Sequence, residues 1–271
     1  MLNIIFGAVL TALLGTALAA TAQTAVPAEP HLQAAQTESD RANALFDEIF
    51  DRKVARDPVY QTYLGLKTNY GKWSDLSEAG QAANLAHRQA DLKLLQDIDT
   101  EQLKAETLVS YNLLEQKLLE EIEDYKWRHH NYPVNQMFGE HARIPAFLIN
   151  QHTISNVSEA EAYISRLNGV HQRLQQVIDQ LTIREKEGVI APSFVLPHVL
   201  RDSSNLLVGA PFDGGEPSTL MIDFSSKVAK LDIPALEKAR LNEEARLALL
   251  NSFQPGYQGL ISYLESLQSK T

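Results

Sequence analysis

The sequence predicts an all-α protein, an elongated multi-helix bundle built from long amphipathic helices. Apolar residues recur at intervals of three and four positions through nearly every periodic segment, which is the spacing of one helix face. No segment alternates apolar and polar residues over the length of a useful strand. No internal repeat with a period of about 20–50 residues is visible.

The amino-terminal segment has the pattern of an export signal. Residues 4–20 form an apolar run without charge, and the tripeptides ending at Ala19 and Ala22 both match the A-x-A cleavage pattern. The favoured interpretation is therefore a signal peptide over residues 1–22, cleaved after Ala19 or Ala22. A periplasmic or secreted protein follows from it, with no stable membrane span after cleavage.

The start of the chain leaves one alternative open. Met1-Leu2-Asn3 lacks the Lys or Arg of a typical signal, and about 17 apolar residues approach the lower limit for a membrane span. The alternative is an inner-membrane anchor through residues 4–20. In either case, residues 23–38 are expected to be disordered and residues 39–271 to form the helical domain.

Two helices are predicted first along that domain. One runs from about Ser39 to Arg56 and is ended by Asp57-Pro58, because the residue before a proline disfavours helical geometry. The next runs from Ser77 to about Ile98. Their inward positions are Leu45, Phe46, Ile49 and Phe50 in the first, and Ala82, Leu85, Leu92 and Leu95 in the second.

The strongest helical pattern lies in the middle of the chain. One helix of about 25 residues is predicted around Leu108 to Tyr125. Another starts at a predicted capping box, Ser158 to Glu161, and is terminated by Gly188. Heptad-like spacing favours these two helices as an antiparallel packing pair.

Toward the carboxyl end, Ile233-Pro234 is predicted to start a helix that Pro255-Gly256 interrupts. Irregular backbone is expected over residues 65–76, 130–156 and 209–218. The inward residues are Leu236, Leu241, Ala245 and Leu249 before the interruption, and Tyr257, Leu260, Ile261, Leu264 and Leu267 after it.

Composition excludes several functional classes. Twenty-four Lys and Arg against 34 Asp and Glu give a net charge of −10, which argues against a nucleic-acid partner because phosphate contacts need a basic patch. The absence of Cys excludes disulfides, Cys-ligated zinc, a thiol nucleophile and a lipid-anchored Cys in this sequence.

No His-Glu-x-x-His, Gly-x-Ser-x-Gly, P-loop or dinucleotide motif occurs. The densest set of imidazoles and carboxylates, which are zinc ligands in a Cys-free protein, is His129, His130, Glu140, His141 and His152. Adjacent His129 and His130 would point about 100° apart on a helix, and the step from His141 to His152 crosses a proline. A hydrogen-bonded loop is the favoured interpretation, so no metal, cofactor or catalytic residue is assigned.

An ordered set of segments resembles a known family. These segments are Asp57–Gly65, Trp73–Ser77, Tyr111–Glu115, Ala160–Leu167 and Gly188–Leu196. In this order and at these distances they look like the amino-terminal half of domain-of-unknown-function family 885. The resemblance covers roughly residues 40 to 268.

The resemblance implies a large, helical, often exported bacterial protein that is a predicted zinc metallopeptidase. Members are about twice this length, with the zinc motif, of the type His-Glu-x-x-Pro-Gly-His-His, in the second half. No such motif occurs in this chain. Zinc is therefore expected only in a complete member, and no catalytic residue is transferred to this sequence.

Three functional hypotheses remain. The first is an exported, truncated or split half-domain without peptidase activity of its own. It predicts that the terminal helices, with Leu260, Ile261, Leu264 and Leu267, expose apolar surface. The second is a stand-alone periplasmic binding or scaffold protein, for which a peptide-like ligand is compatible. The third is a hydrolase that acts only with a separately encoded carboxyl-terminal half.

Overall fold

The computed structural model describes residues 37–270, and its regular elements there are all helical, which confirms the predicted all-α class. The predicted signal peptide and its cleavage positions at Ala19 and Ala22 lie outside the described residues. The α-helices are α1 (Glu38–Arg56), α2 (Pro58–Tyr63), α3 (Glu78–Gln96), α4 (Ala105–Glu123), α5 (Glu140–Asn150), α6 (Val157–Lys186), α7 (Leu196–Asn205), α8 (Thr219–Ala229), α9 (Ala235–Ala248) and α10 (Gln254–Leu267).

Helix α6 is the centre of the larger hydrophobic core. Its apolar face contacts α5, α9 and α10, and Leu167, Val170 and Leu174 on that face are fully buried. Gly256 of α10 lets the two helices approach closely, since a Cβ there would lie 3.0 Å from the Cα of His171. Burial of this apolar face, rather than helix propensity, stabilises so long a helix.

The predicted pairing of α4 with α6 is wrong. Helix α4 packs instead on α3 and α1, around a smaller core that contains Ala42, Leu95 and Tyr111. The short connection through Asp97–Lys104 makes α3 and α4 neighbours, a local constraint that the spacing of apolar residues does not report. Helix α4 is also shorter than predicted, and a 3₁₀ turn, Asp124–Trp127, follows it.

Helices α1 and α4 run parallel to each other. The amide of Lys104, just before α4, donates to Ser39 Oγ at the start of α1 (2.9 Å). Helix α3 runs in the opposite direction to α1. Its end lies beside the start of α1, where Arg41 donates to the carbonyl oxygen of Asp97 (3.1 Å). These three helices, with α2, enclose the cleft described below.

The ends of several helices are where the sequence predicts them. Helix α1 ends at Asp57-Pro58 and α9 starts after Pro234. Gly188, with φ +77°, ends α6 in a Schellman motif in which Gly188 N–H donates to Glu185 and Val189 N–H to Arg184. The predicted capping box at Ser158 is wrong: Asn156 caps α6, and its side chain accepts from Glu159 N at 3.0 Å.

Three predicted inward positions are wrong. Ala82 is exposed on α3, Phe50 is 47% exposed, and Leu236 at the first turn of α9 is 84% exposed. Helix spacing fixes which residues share a face, whereas the number of neighbours at each level of that face depends on the tertiary arrangement.

Part of the segment expected to be irregular, residues 130–156, forms helix α5, which contains Pro145. Proline lacks the N–H that would bond to His141 O one turn earlier. Tyr257 of α10 donates its hydroxyl to that carbonyl at 2.6 Å, so the freed acceptor is satisfied. A residue from a distant helix therefore makes the proline tolerable.

The prediction that the terminal helices expose apolar surface is wrong for α10. Tyr257, Leu260, Leu264 and Leu267 are buried against α6, α7 and neighbouring segments. The predicted interruption at Pro255-Gly256 is also wrong. Both residues lie in the first turn of α10, and a π-helical turn, Leu249–Phe253, joins α9 to α10.

Candidate ligand-binding cleft

A cleft of about 630 Å³ lies between α1, α2, α3 and α4. Its apolar lining comes from Phe46, Ile49 and Phe50 of α1 and from Leu114 and Leu118 of α4. These residues lie three and four positions apart on their helices, so each helix turns one stripe toward the cleft. The cleft therefore offers a continuous apolar surface to a ligand.

The junction of α1 and α2 closes part of the cleft with hydrogen-bonded polar groups. Asp57 caps α2 by accepting from Tyr60 N (2.9 Å), and its carboxylate also accepts from the Ser74 hydroxyl. Ser74 Oγ in turn accepts from Val59 N at 3.2 Å. Ser74 is thus fixed by the residue that joins the two helices and by the first turn of α2.

Four of the eight charged side chains that line the cleft are in ion pairs. Asp91 binds Arg52 (2.9 Å) and lies 3.9 Å from Arg56, and Arg88 binds Glu121 at 2.8 Å. Two of the cations that line the cleft are not in ion pairs. Lys53 and Lys117 have no hydrogen-bond or ion-pair partner within residues 37–270, although the chain as a whole is acidic.

Beneath the cleft, Arg166 of α6 is fully buried and holds the segment before α3. Its guanidinium donates to Lys72 O (3.1 Å), to Thr62 Oγ1 (2.7 Å) and to His152 Nδ1 (2.9 Å). It also lies over the ring of Phe147, 4.7 Å from the ring centroid. Burial lowers the pKa of Arg166 to about 10, which leaves it protonated at neutral pH.

Arg173, two turns further along α6, connects this buried layer to the cleft. It donates to Ser74 O at 3.0 Å and forms a buried ion pair with Glu140 (2.7 Å). Its guanidinium also lies over Trp73, 4.8 Å from the ring centroid. The backbone of the Ser74 segment is consequently held from below by a charge-assisted hydrogen bond.

A third arginine repeats the arrangement near the end of α6. Arg184 donates to Arg128 O (2.7 Å) and Asn131 O (3.0 Å), and burial lowers its pKa. Arg166, Arg173 and Arg184 thus each bind carbonyls of a non-helical segment, whose backbone would otherwise lack partners.

The predicted histidine-rich set is not brought together. His129 lies between Glu78 (2.9 Å) and Glu187 (3.2 Å), whereas His152 lies beside Arg166. Partial burial raises the pKa of Glu78, but hydrogen bonds from His129, Gln180 and Arg128 outweigh this and lower the pKa to about 2.

Three of these histidines, His129, His141 and His152, are buried. Burial lowers the pKa of His152 to about 3, so its neutral ring accepts from Arg166 at Nδ1 and donates from Nε2 to Glu159 O (3.0 Å). Burial also lowers the pKa of His141, whose Nδ1 has no hydrogen-bond partner. Exposed His130 packs against Trp127, while Glu140 pairs with Arg173.

Within residues 37–270, no group of three or more His, Asp or Glu side chains is placed to hold a metal ion. None of the helices over the same residues has the length and hydropathy that a bilayer crossing requires.

The sequence prediction missed the buried arginines. Arg166, Arg173 and Arg184 follow one another at intervals of seven and eleven residues, which places them on one stripe of α6. That periodicity is a usable signal, but arginines on an amphipathic helix are ordinarily solvated.

The fold and the cleft define an all-α protein with a preformed interhelical cavity. The family model described as bacterial protein of unknown function (DUF885) matches residues 58–271. The chain belongs to that family. No curated protein matches the chain.

Two solved structures share the fold. A protein from Colwellia psychrerythraea described as a putative lipoprotein aligns with TM-score 0.72 and 17% identity over 87% of this chain. A protein from Shewanella oneidensis, described as a putative lipoprotein of unknown function, aligns with TM-score 0.58 and 16% identity over 86% of this chain. This chain spans only 42% and 38% of those two proteins.

Proposed function

We propose that the chain is an exported helical binding module whose α1–α4 cleft takes a peptide-like ligand, and that it does not hydrolyse peptides by itself. The observation that carries the proposal is the cleft, with an apolar lining, a fixed polar junction and a volume of about 630 Å³. Binding sites for small ligands have volumes of about 300–1,000 Å³ and combine apolar walls with a few placed polar groups.

The burial of α10 supports a module that folds by itself. Leu260 and Leu264 are completely buried within the described chain, so this helix does not need another subunit to cover them. The zinc ligands and general base that the family resemblance implies belong to a motif that this sequence lacks. Binding without autonomous hydrolysis is the activity that fits both observations.

Blocking the cleft tests the binding function. Ala83 lines the cleft, whereas neighbouring Ala82 does not, and both side chains are exposed. In equilibrium dialysis against a pool of short peptides, Ala83→Trp is expected to lose at least about tenfold in binding and Ala82→Trp to bind like the wild type. Equal binding by both variants, or no binding by the wild type, would contradict the proposal.

Export is tested on the protein recovered from its native host. Cell fractionation should find it outside the cytoplasm, and intact-mass measurement should find a chain that begins at Ala20 or Gln23. A cytoplasmic protein that retains residues 1–22 would refute export.

A second candidate function is that of a hydrolase completed by a separately encoded half, and the incomplete coverage of both solved neighbours, 42% and 38%, favours it. The test is the coding DNA beyond Thr271, followed by mixing of the two products. A frame encoding His-Glu-x-x-Pro-Gly-His-His, whose product gives zinc-dependent peptide hydrolysis only with this chain, would establish this function. Unrelated downstream DNA would count against it.

A further inference from the structure

The cleft carries two cations that the fold itself does not use. Lys53 of α1 and Lys117 of α4 both line it, and neither has an ion-pair partner among the residues that the structure describes. The carboxylates that share the lining accept hydrogen bonds: Asp91 and Glu121 from arginines, Asp57 from a helix amide and a hydroxyl, and Asp75 from Ser77 N and the Gln176 amide. The two lysines are therefore charged groups of the lining that the described chain leaves without a partner.

The parallel course of α1 and α4 places these lysines at one level. The contact between Lys104 N and Ser39 Oγ sets the register of the two helices. Lys53 follows Ser39 by fourteen residues and Lys117 follows Lys104 by thirteen, so both lie about 20 Å along their helices from that contact. Both lysines thus line the cleft at the same level of two parallel helices, an arrangement in which one anionic group can contact both.

The residues around this site indicate the chemical class of the ligand more closely. Phe46, Phe50 and Leu114 lie three to seven residues before the lysines on the same helices and provide apolar surface beside the charges. Asn84 on α3 lines the same cleft with a side-chain amide that has no hydrogen-bond partner in the described chain. An amide of this kind can both donate to and accept from a peptide bond, whereas a fatty acid has no peptide bond to offer.

We propose that the cleft binds the carboxyl terminus of short peptides, with the terminal carboxylate between Lys53 and Lys117 and an apolar last side chain against Phe46, Phe50 and Leu114. This assignment rests on the proposed binding function and names its ligand class. The terminal carboxylate is the negatively charged partner that the described chain does not provide for the two lysines. The apolar side chain occupies the adjacent lining, and the preceding peptide bond lies within the part of the cleft that Asn84 shares.

The test measures binding of two fluorescent tetrapeptides that end in leucine, one with a free carboxylate and one amidated, by fluorescence polarisation with the full chain. Amidation is expected to weaken binding about tenfold or more. Lys53→Gln and Lys117→Gln are each expected to weaken binding of the free acid about 5–10-fold, since charge-assisted hydrogen bonds to a carboxylate are lost. Neither variant should change binding of the amide. Lys93→Gln removes a charge from an exposed position of α3 outside the cleft and should have no effect.

Each alternative outcome is distinct. If both peptides bind equally and the lysine variants bind like the wild type, the carboxylate assignment is overturned while the binding function stands. If neither peptide binds, both are overturned. If dodecanoate displaces the free-acid peptide and binds more tightly than it does, the ligand is a fatty acid and the assignment to peptides is overturned.

Discussion

Protonation of His152 is expected to make the protein markedly less stable below neutral pH. The ring is fully buried, accepts from the Arg166 guanidinium at Nδ1 and donates from Nε2 to Glu159 O. A proton at Nδ1 would face the hydrogen-bond donor of a cation. Burial is the largest cause of the lowered pKa of about 3, and the charge of Arg166 lowers it further.

The magnitude follows from the difference in proton affinity between the two states. The unfolded chain binds a proton at His152 with a pKa near 6.5, and the folded chain only near 3. Stability from this residue is therefore complete above pH 6.5 and is lost as the pH falls toward 3. At pH 5 the loss is about 2 kcal/mol, since each pKa unit corresponds to about 1.4 kcal/mol.

The assay is urea unfolding followed by circular dichroism at pH 7.5 and 5.0, on the wild type and on His152→Gln. The substitution shifts stability at both pH values, but the pH-dependent loss should be about 2 kcal/mol smaller than in the wild type. His198→Gln, at an exposed position of α7, is the control and should retain the wild-type loss. The same pH dependence in His152→Gln and the wild type, to within about 0.5 kcal/mol, would refute the account of a neutral, buried His152.

Three further predictions concern the helices and use urea or thermal unfolding. Asn156→Ala should lower the free energy of unfolding by about 1 kcal/mol because a helix cap is lost, while Ser158→Ala should change it by less than about 0.5 kcal/mol. A larger loss for Ser158→Ala than for Asn156→Ala would support the capping box at Ser158 instead. Leu241→Ala should cost about 2–5 kcal/mol because the side chain is fully buried, whereas Leu236→Ala, at an 84% exposed position, should be close to neutral. Gly188→Ala places a Cβ at φ +77° and should cost about 1–2 kcal/mol; a neutral result would show that the end of α6 relaxes.

The sequence predicts local features of this fold well. Helix α1 ends where Asp57-Pro58 says it should, and Gly188 ends α6, because both signals act on neighbouring backbone. Which helices pack together is not determined by such local signals. Helix α4 packs on α3 rather than on α6, and heptad-like spacing fits either partner equally.

Features that depend on residues far apart in sequence were not predicted either, because local sequence signals do not report such contacts. A helix through Pro145 requires Tyr257, which lies 112 residues further along the chain, to satisfy the carbonyl of His141. Arg166 and Arg173 are buried because irregular segments far away in sequence bring their carbonyls to α6. A single sequence carries the arginines but not the positions of those carbonyls.

The buried arginines also bear on the proposed ligand site, because Ser74 belongs to both. Its carbonyl accepts from Arg173, while its hydroxyl contacts Asp57 and the amide of Val59 at the junction of α1 and α2. The position of α1 beside the cleft is thereby coupled to the core around α6, although α1 shares none of that core. A cleft fixed in this way is preorganised, so binding does not spend free energy on ordering the junction. Since Lys53 stands only four residues before Asp57, the same contacts hold the proposed carboxylate site at a defined distance from the junction.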